Sequence, residues 1–204
     1  MNFKLFVSTL LALLSGNIVC FAEDWTEFRG PDGQGKSVTK SLPTTWSDSQ
    51  NVRWKVPIDG DGWSSPVIAD GRIYLTTAIA TGSDESKARS LRAVCLDAGD
   101  GSTIWQKEVF RQADDGVQIH NKNSHASPTP LIRGDRLFVH FGPHGTACLT
   151  TAGEVIWATQ ELSFKPTHGN GGSPALHGDT LIVTCDGADQ QFVAGISASS
   201  GEVK

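Results

Sequence analysis

Residues 65–75 read SPVIADGRIYL, a pattern for two short strands joined by a tight turn. Apolar runs follow both Ser-Pro and Asp-Gly, and Asp-Gly between two such runs is a strong hairpin signal. The pattern returns at residues 127–139 and 173–183, so its opening serines lie 62 and 46 residues apart. A repeat of roughly 50 residues made of short strands predicts the blades of a β-propeller, separated by a loop of variable length.

A second motif, a glycine turn that leads into a strand with tryptophan, follows each hairpin. Residues 97–105 read DAGDGSTIW, residues 150–157 read TTAGEVIW, and residues 199–204 read SSGEVK, which stops one residue short of the tryptophan position. Each blade is therefore expected to contain four antiparallel strands. About three blades are fewer than the roughly four that a closed propeller requires. We expect an incomplete propeller, the N-terminal portion of a longer protein.

Three segments divide the chain. Residues 1–22 have one lysine, a short apolar run and a Cys-Phe-Ala end, the pattern of a secretory signal peptide. Residues 23–50 are rich in turn residues and predict an N-terminal loop and connector. Residues 51–204 predict the partial propeller, and they begin with an alternating strand at 51–58 that closes a blade. We expect a periplasmic or secreted protein.

Composition limits the partners and the fold class. The formal net charge is −5 at pH 7 and no segment is strongly basic, so we expect no nucleic-acid partner. After residue 22 no apolar run approaches the ~20 residues of a membrane-spanning helix, so we expect no integral membrane segment. No stretch of ten residues there has helical periodicity, which predicts an all-β domain. After residue 22 the cysteines are three, an odd number, so we expect Cys95, Cys148 and Cys185 to be small buried apolar residues.

The turn-and-tryptophan motif resembles the repeat of the pyrroloquinoline-quinone (PQQ)-type β-propeller family. That resemblance implies a structural role, in which each indole packs over a glycine turn of the neighbouring blade while the Asp binds turn amides. The second copy departs from the family pattern because Thr150 stands at the Asp position. Residues 25–31, WTEFRGP, also resemble the opening of a secreted planctomycete-type subgroup. The residues that match the docking pattern are Asp97, Gly101, Trp105, Gly153 and Trp157.

The resemblance implies two different functions. We favour an exported, non-catalytic scaffold or binding module, whose partners would be its other blades and a periplasmic protein or a saccharide held by rim aromatics such as Trp25 and Trp63. The alternative is a PQQ-dependent alcohol or sugar dehydrogenase with calcium, whose decisive residues would lie in further blades. The chain has no adjacent pair of cysteines and no carboxylate spacing typical of a calcium site. No catalytic residue is assigned.

Polar residues in the connections between blades are the candidate ligand site. Asn123 and His125 precede the second Ser-Pro strand, while His168 and Asn170 precede the third. Because successive blades place equivalent connections side by side, we expect these four residues at the mouth of the central channel. The alternative is that the glycines at 171–172 serve to let the chain turn tightly into the strand.

A second candidate is a metal held by His140 and His144. These residues lie four apart around a Phe-Gly-Pro turn, and two imidazoles that meet across such a turn can share a metal. The spacing brings histidines together mainly on a helix, however, and this segment is predicted to be a strand and a turn. The competing interpretation is that both are ordinary residues of the blade.

Overall fold

The computed structural model describes residues 23–40, 42–83, 87–114 and 119–204. The eleven strands of these residues form three antiparallel sheets. The predicted signal peptide, residues 1–22, lies outside the described residues. No helix in the described part of the chain has the length and hydropathy that crossing a bilayer requires.

Each sheet is a meander in which consecutive strands pair. The first contains β1 Val67–Ala69, β2 Arg72–Ala80, β3 Arg89–Asp97 and β4 Thr103–Gln112. The second contains β5 Leu131–Arg133, β6 Arg136–His140, β7 Thr146–Thr150 and β8 Val155–Thr159, with one 3-10 turn at Gly142–His144. The third contains β9 Ala175–His177, β10 Thr180–Asp186 and β11 Gln191–Ser197, and Val203 forms an isolated bridge to its outer edge. The predicted all-β, propeller-type fold with four-stranded antiparallel blades is confirmed.

The hydrophobic core lies between neighbouring blades. One cluster joins the first two blades and contains Tyr74, Leu91, Leu137 and Phe141. The other joins the second and third blades and contains Phe138, Trp157, Leu181 and Ile196. The facing sides of neighbouring blades therefore cover each other, which is how a propeller buries its sheets.

The three cysteines of the described residues belong to this core. Cys95, Cys148 and Cys185 are buried and unpaired, as expected from the sequence. Burial raises the pKa of the Cys148 thiol and of the Cys185 thiol to about 11. Since the thiolate is the reactive form, these cysteines act as packing residues.

A tryptophan covers a glycine turn in each of the three blades. The indole N–H donates to a carbonyl of that turn, from Trp54 to Ala98 at 3.1 Å and from Trp105 to Thr151 at 3.1 Å. Each glycine has a positive φ, and a Cβ atom added to it would lie within 3 Å of the indole ring. The close approach therefore requires glycine. The pairs are Trp54 with Gly101, Trp105 with Gly153, and Trp157 with Gly201.

Residues 51–58, expected to form a strand, are not a strand in the structure and pair with no strand of the described chain. Their burial still alternates, because Trp54, Val56 and Ile58 are half-buried while their neighbours are exposed. The docking of Trp54 thus holds this segment in place without a ladder of hydrogen bonds.

The N-terminal loop joins the first strands of two blades. Trp25 and Ile68 of β1 exchange two backbone hydrogen bonds of 2.8 Å, and the Ile132 amide of β5 donates to the Thr26 carbonyl at 2.7 Å. The Trp25 ring also covers Gly30, whose added Cβ would lie 2.8 Å away. The N-terminal loop therefore pairs with the free edges of two strands, through Trp25 at β1 and through Thr26 at β5.

The two ends of the blades differ in their connections. At one end, here called the turn end, tight turns join β1 to β2 and β3 to β4, and the Ala98 amide donates to Gly71 across them at 2.9 Å. At the opposite end, here called the loop end, longer connections join β2 to β3 and β4 to β5. The docking tryptophans serve the turn end, and the candidate ligand residues lie at the loop end.

Candidate functional site

Connections of successive blades surround a cavity of about 380 Å³ at the loop end. This loop-end cavity has walls from the segment before β1, from the start of β3 and from the connection after β4. Its volume falls within the range of about 300–1,000 Å³ that is usual for small-molecule sites. Its polar and aromatic lining includes Asp61, Trp63, Arg89, His120, Asn121 and His125.

Asn123 joins two connections to each other. Its Oδ1 accepts from the Ser127 hydroxyl at 2.5 Å and from the Ser124 amide at 2.9 Å. Its Nδ2 donates to the His168 carbonyl at 2.9 Å. The structure thus brings Asn123 and His168 together, and the amide of Asn123 is engaged with the protein at both ends. This residue orders the site, because its side chain positions the loops that form the cavity wall.

The ring of His168 is exposed and packs edge-on against that of His120, with 5.3 Å between ring centroids. The Lys122 amide donates to Nδ1 of His120 at 3.1 Å. A neutral imidazole that accepts at Nδ1 carries its proton at Nε2, so His120 presents a hydrogen-bond donor. A metal ligand needs the opposite arrangement, with the second nitrogen donating.

His125 and His144 face each other, with 6.2 Å between ring centroids. Burial lowers the pKa of His125 to about 4, and the nearby His144 and Arg89 contribute in the same direction. Burial also lowers the pKa of His144. Both rings are therefore uncharged at neutral pH. They supply polar hydrogen-bonding groups and no positive charge.

Asn170 packs against the turn that carries His144. An added Cβ at Gly142, where φ is +60°, would lie 2.5 Å from Cβ of Asn170. Nδ2 of Asn170 and Nδ1 of His125 are buried without a hydrogen-bond partner among the described residues. Both residues line a void of about 10 Å³, close to the lower limit for one water molecule. Asn170 thus supports the back of the site while His125 lies between the void and the loop-end cavity.

His140 is placed apart from the other histidines. It is fully buried in β6, and its Nδ1 forms a 2.8 Å hydrogen bond with the hydroxyl of Thr146. Burial lowers its pKa to about 4. The ring contact of His144 is with His125 instead. Among the described residues no group of three His, Cys, Asp or Glu side chains is arranged as metal ligands.

Two polar residues of the cavity, Asp61 and Arg89, were not predicted from the sequence. Asp61 forms a bridge in which its amide and carbonyl each bond to Ala78 at 2.9 Å. An added Cβ at Gly60 would lie 2.5 Å from the Ala78 carbonyl, so this backbone lies tightly against β2. The signal available in the sequence was the run Gly-Asp-Gly-Trp at 60–63, which places an acidic and an aromatic residue among glycines.

The residues of the cavity do not fit the calcium that the resemblance implied. Calcium binds about six to eight oxygen ligands, most of them from carboxylates and carbonyls. Among the described lining residues, Asp61 is the sole carboxylate. This lining therefore lacks the set of oxygen ligands that a calcium ion requires.

Three meander sheets docked through tryptophans define a protein of the β-propeller class. A family model described as outer membrane protein assembly factor BamB matches residues 44–160 and 86–204. The chain belongs to this BamB-like, PQQ-like β-propeller family. No curated protein matches the chain.

Two quinohemoprotein alcohol dehydrogenases and a BamB are among the solved structures that the chain is similar to. Quinohemoprotein alcohol dehydrogenase ADHIIG from Pseudomonas putida HK5 is 15% identical, covers 75% of this chain and 22% of its own, and has a TM-score of 0.53. The quinohemoprotein alcohol dehydrogenase of Comamonas testosteroni is 16% identical, with 74% and 21% covered and a TM-score of 0.52. BamB from Moraxella catarrhalis is 15% identical, with 74% and 41% covered and a TM-score of 0.49.

The likeness to the two dehydrogenases shows the fold. The chain spans about a fifth of the length of the two dehydrogenases and about two fifths of that BamB.

Proposed function

We propose that this chain belongs to an exported propeller that acts as a non-catalytic binding module, with its ligand held at the loop end. In this proposal Asn123, His125, His168 and Asn170 form or support that end. Asn123 and His125 line the cavity, Asn123 also bonds to the His168 carbonyl of the neighbouring connection, and Asn170 lines the void behind His125.

The observation that carries this proposal is the chemistry of the histidines at the loop end. A histidine that acts as a general base is commonly oriented by a carboxylate. No histidine of the described residues has a hydrogen bond to a carboxylate, and His125 and His144 are neutral because they are buried. Such an arrangement offers hydrogen bonds to a ligand without an activated nucleophile or base.

The family supports the same proposal. The matching model is described as an assembly factor of the outer membrane, which is a binding role. Export to the periplasm is the location that fits this description and the predicted signal peptide. A fold shared with dehydrogenases does not itself decide for catalysis, because function depends on the site.

A cofactor titration of the purified protein tests the proposal. PQQ and calcium chloride are added while tryptophan fluorescence and dye-linked alcohol oxidation are recorded. We expect neither turnover nor a saturable change in fluorescence at micromolar PQQ. Saturable binding accompanied by alcohol-dependent dye reduction would overturn the proposal in favour of a PQQ-dependent dehydrogenase.

A further inference from the structure

We propose that the loop-end cavity binds a neutral saccharide, with the Trp63 ring as its stacking platform and Asp61 as an acceptor for sugar hydroxyls. This inference rests on the proposed binding function and specifies the ligand class. It predicts a pyranose with equatorial hydroxyls, since the axial C–H bonds of such a ring form a flat apolar face that an aromatic ring can cover.

The Trp63 side chain is exposed although its backbone is rigidly held. Its exposed fraction is 59%, and it lines the cavity. The Trp63 amide donates to the Ala126 carbonyl at 3.1 Å, and the next amide donates to the same carbonyl at 3.2 Å. An aromatic ring on a fixed backbone loses little entropy when it binds, which favours affinity.

The backbone of Asp61 is also held by hydrogen bonds to the blade. Its amide and carbonyl both bond to Ala78 at 2.9 Å, and the flanking Gly60 and Gly62 lie too close to β2 for any larger residue. Asp61 and Trp63 are two residues apart on an extended segment, and both line the same cavity. An acceptor and an aromatic face are thus presented together from one rigid strand-like backbone.

Hydrogen-bond donors lie on the facing wall of the cavity. His120 carries its proton at Nε2 because Nδ1 accepts from the Lys122 amide at 3.1 Å. Asn121 is exposed and offers an amide, which both donates and accepts. Sugar hydroxyls also donate and accept at one atom, so a wall with both kinds of group matches them.

Other ligand classes fit this lining less well. An anionic ligand would lose its hydration and gain little, because the Asp61 carboxylate offsets the attraction of the Arg89 guanidinium in the same lining. A metal ion would find His120 with its lone pair already engaged and its proton outward. A neutral, hydroxyl-rich ligand faces neither cost.

Isothermal titration of the purified protein with cellohexaose, xylohexaose and chitohexaose tests the proposal. Oligogalacturonate of the same length is the anionic comparison. We expect at least one neutral hexasaccharide to bind with a change in tryptophan fluorescence. We expect Trp63→Ala to weaken binding about tenfold or more, as for central aromatic residues at other binding sites. Asp61→Asn, which removes the charged acceptor, is expected to weaken it by about the same factor.

Trp46→Ala is the matched control, because Trp46 is 70% exposed and does not line the cavity. It should bind the saccharide as the unchanged protein does, and all variants should retain the same thermal unfolding midpoint. The proposal is overturned if no neutral hexasaccharide binds, if oligogalacturonate alone binds, or if Trp63→Ala binds unchanged. The two titrations can fail independently. If neither PQQ nor any saccharide binds, the proposed binding function stands and its ligand would be a protein.

Discussion

The turn end and the loop end of the same blades differ in whether their buried polar groups have hydrogen-bond partners. At the turn end the polar groups bond to each other: Asp97 accepts from the Gly99 amide at 2.6 Å, and the Thr150 hydroxyl accepts from the Glu154 amide at 3.1 Å. At the loop end four buried side-chain atoms have no hydrogen-bond partner among the described residues. They belong to Gln112, His125, His140 and Asn170.

This difference separates stability from binding. Buried polar groups are normally paired, and each exception costs free energy. The unpaired buried groups of the described residues all lie at the loop end. One of them, His125, lines the loop-end cavity, whereas His140 is enclosed in β6. The turn end therefore holds neighbouring blades together, and the loop end is where a ligand would find partners.

Removing a docking tryptophan should produce the largest loss of stability. Trp157→Ala deletes a buried indole that covers Gly201 and donates to the Ala198 carbonyl at 3.0 Å. We expect a loss of about 3–5 kcal/mol in the free energy of unfolding, as for large aromatic residues in cores. Urea denaturation followed by tryptophan fluorescence and circular dichroism measures it.

The control for that experiment is Trp46→Ala, since Trp46 is exposed on the connector. Exposed positions of this kind usually change stability by less than about 0.5 kcal/mol. Equal losses for the two tryptophans would show that docking at the turn end does not hold the blades together.

Acid should weaken the loop end before the turn end. The folded pKa of His140 is about 4 and its ordinary value is 6.5, so the unfolded chain binds more protons between these pH values. The contribution of His140 to the free energy of unfolding is therefore fully present above about pH 6.5. It is lost as the pH falls toward 4, and the loss is about 3 kcal/mol for a pKa shift of this size. His125, whose pKa is also lowered to about 4, acts in the same direction.

Urea midpoints at pH 7, 5.5 and 4 measure this loss, and hydrogen exchange at pH 5.5 locates it. His140→Asn keeps a polar partner for Thr146 but does not titrate, so its stability should depend less steeply on pH. Exchange that accelerates first in the turns at 97–101 and 150–153 would contradict the assignment to the loop end.

Two glycines test how much of the turn end depends on the indole contact. Gly153 has φ +92°, and an added Cβ would lie 2.9 Å from the Trp105 ring; Gly134 has φ +59° with nothing within 4 Å. Both alanine variants carry the cost of a left-handed backbone, about 1–2 kcal/mol. Gly153→Ala should cost about 1–3 kcal/mol more, because it also overpacks the contact. Equal urea midpoints for the two variants would exclude a tight contact at Gly153.

The smallest effect is expected from the loop end. Asn123→Ala removes three hydrogen bonds, one of which joins two connections through the His168 carbonyl, and we expect it to cost about 1–2 kcal/mol. Hydrogen exchange should increase at 119–127 and 166–172 while the turn end is unchanged. Asn121→Ala is the matched variant, since Asn121 is exposed beside it and should leave exchange unaltered. If Asn123→Ala leaves the protection of both connections intact, the side chain does not hold them.

The sequence alone was enough for the blades but not for the site. The Asp-Gly hairpins and the glycine–tryptophan motif are local patterns, so strand positions and the docking turns could be located without a structure. Arg89 carries no such pattern and Asp61 has only the run Gly-Asp-Gly-Trp around it; they line one cavity because segments from different parts of the first blade meet. Asn123 was predicted as a ligand residue; it lines the cavity, and its hydrogen bonds to residues 124, 127 and 168, which the sequence did not reveal, also position the connections.

Local chemistry therefore determined the repeat: Asp-Gly turns, alternating apolar strands and glycines under tryptophans depend on neighbours in sequence. Tertiary structure decided which polar groups remain unpaired. His125 and His140 have the same side chain, yet one lines a cavity and the other is enclosed in β6. That outcome depends on the packing of one blade against the next, and the burial that follows sets their charge state. Distances between blades are set by the whole fold, and no window of sequence contains them.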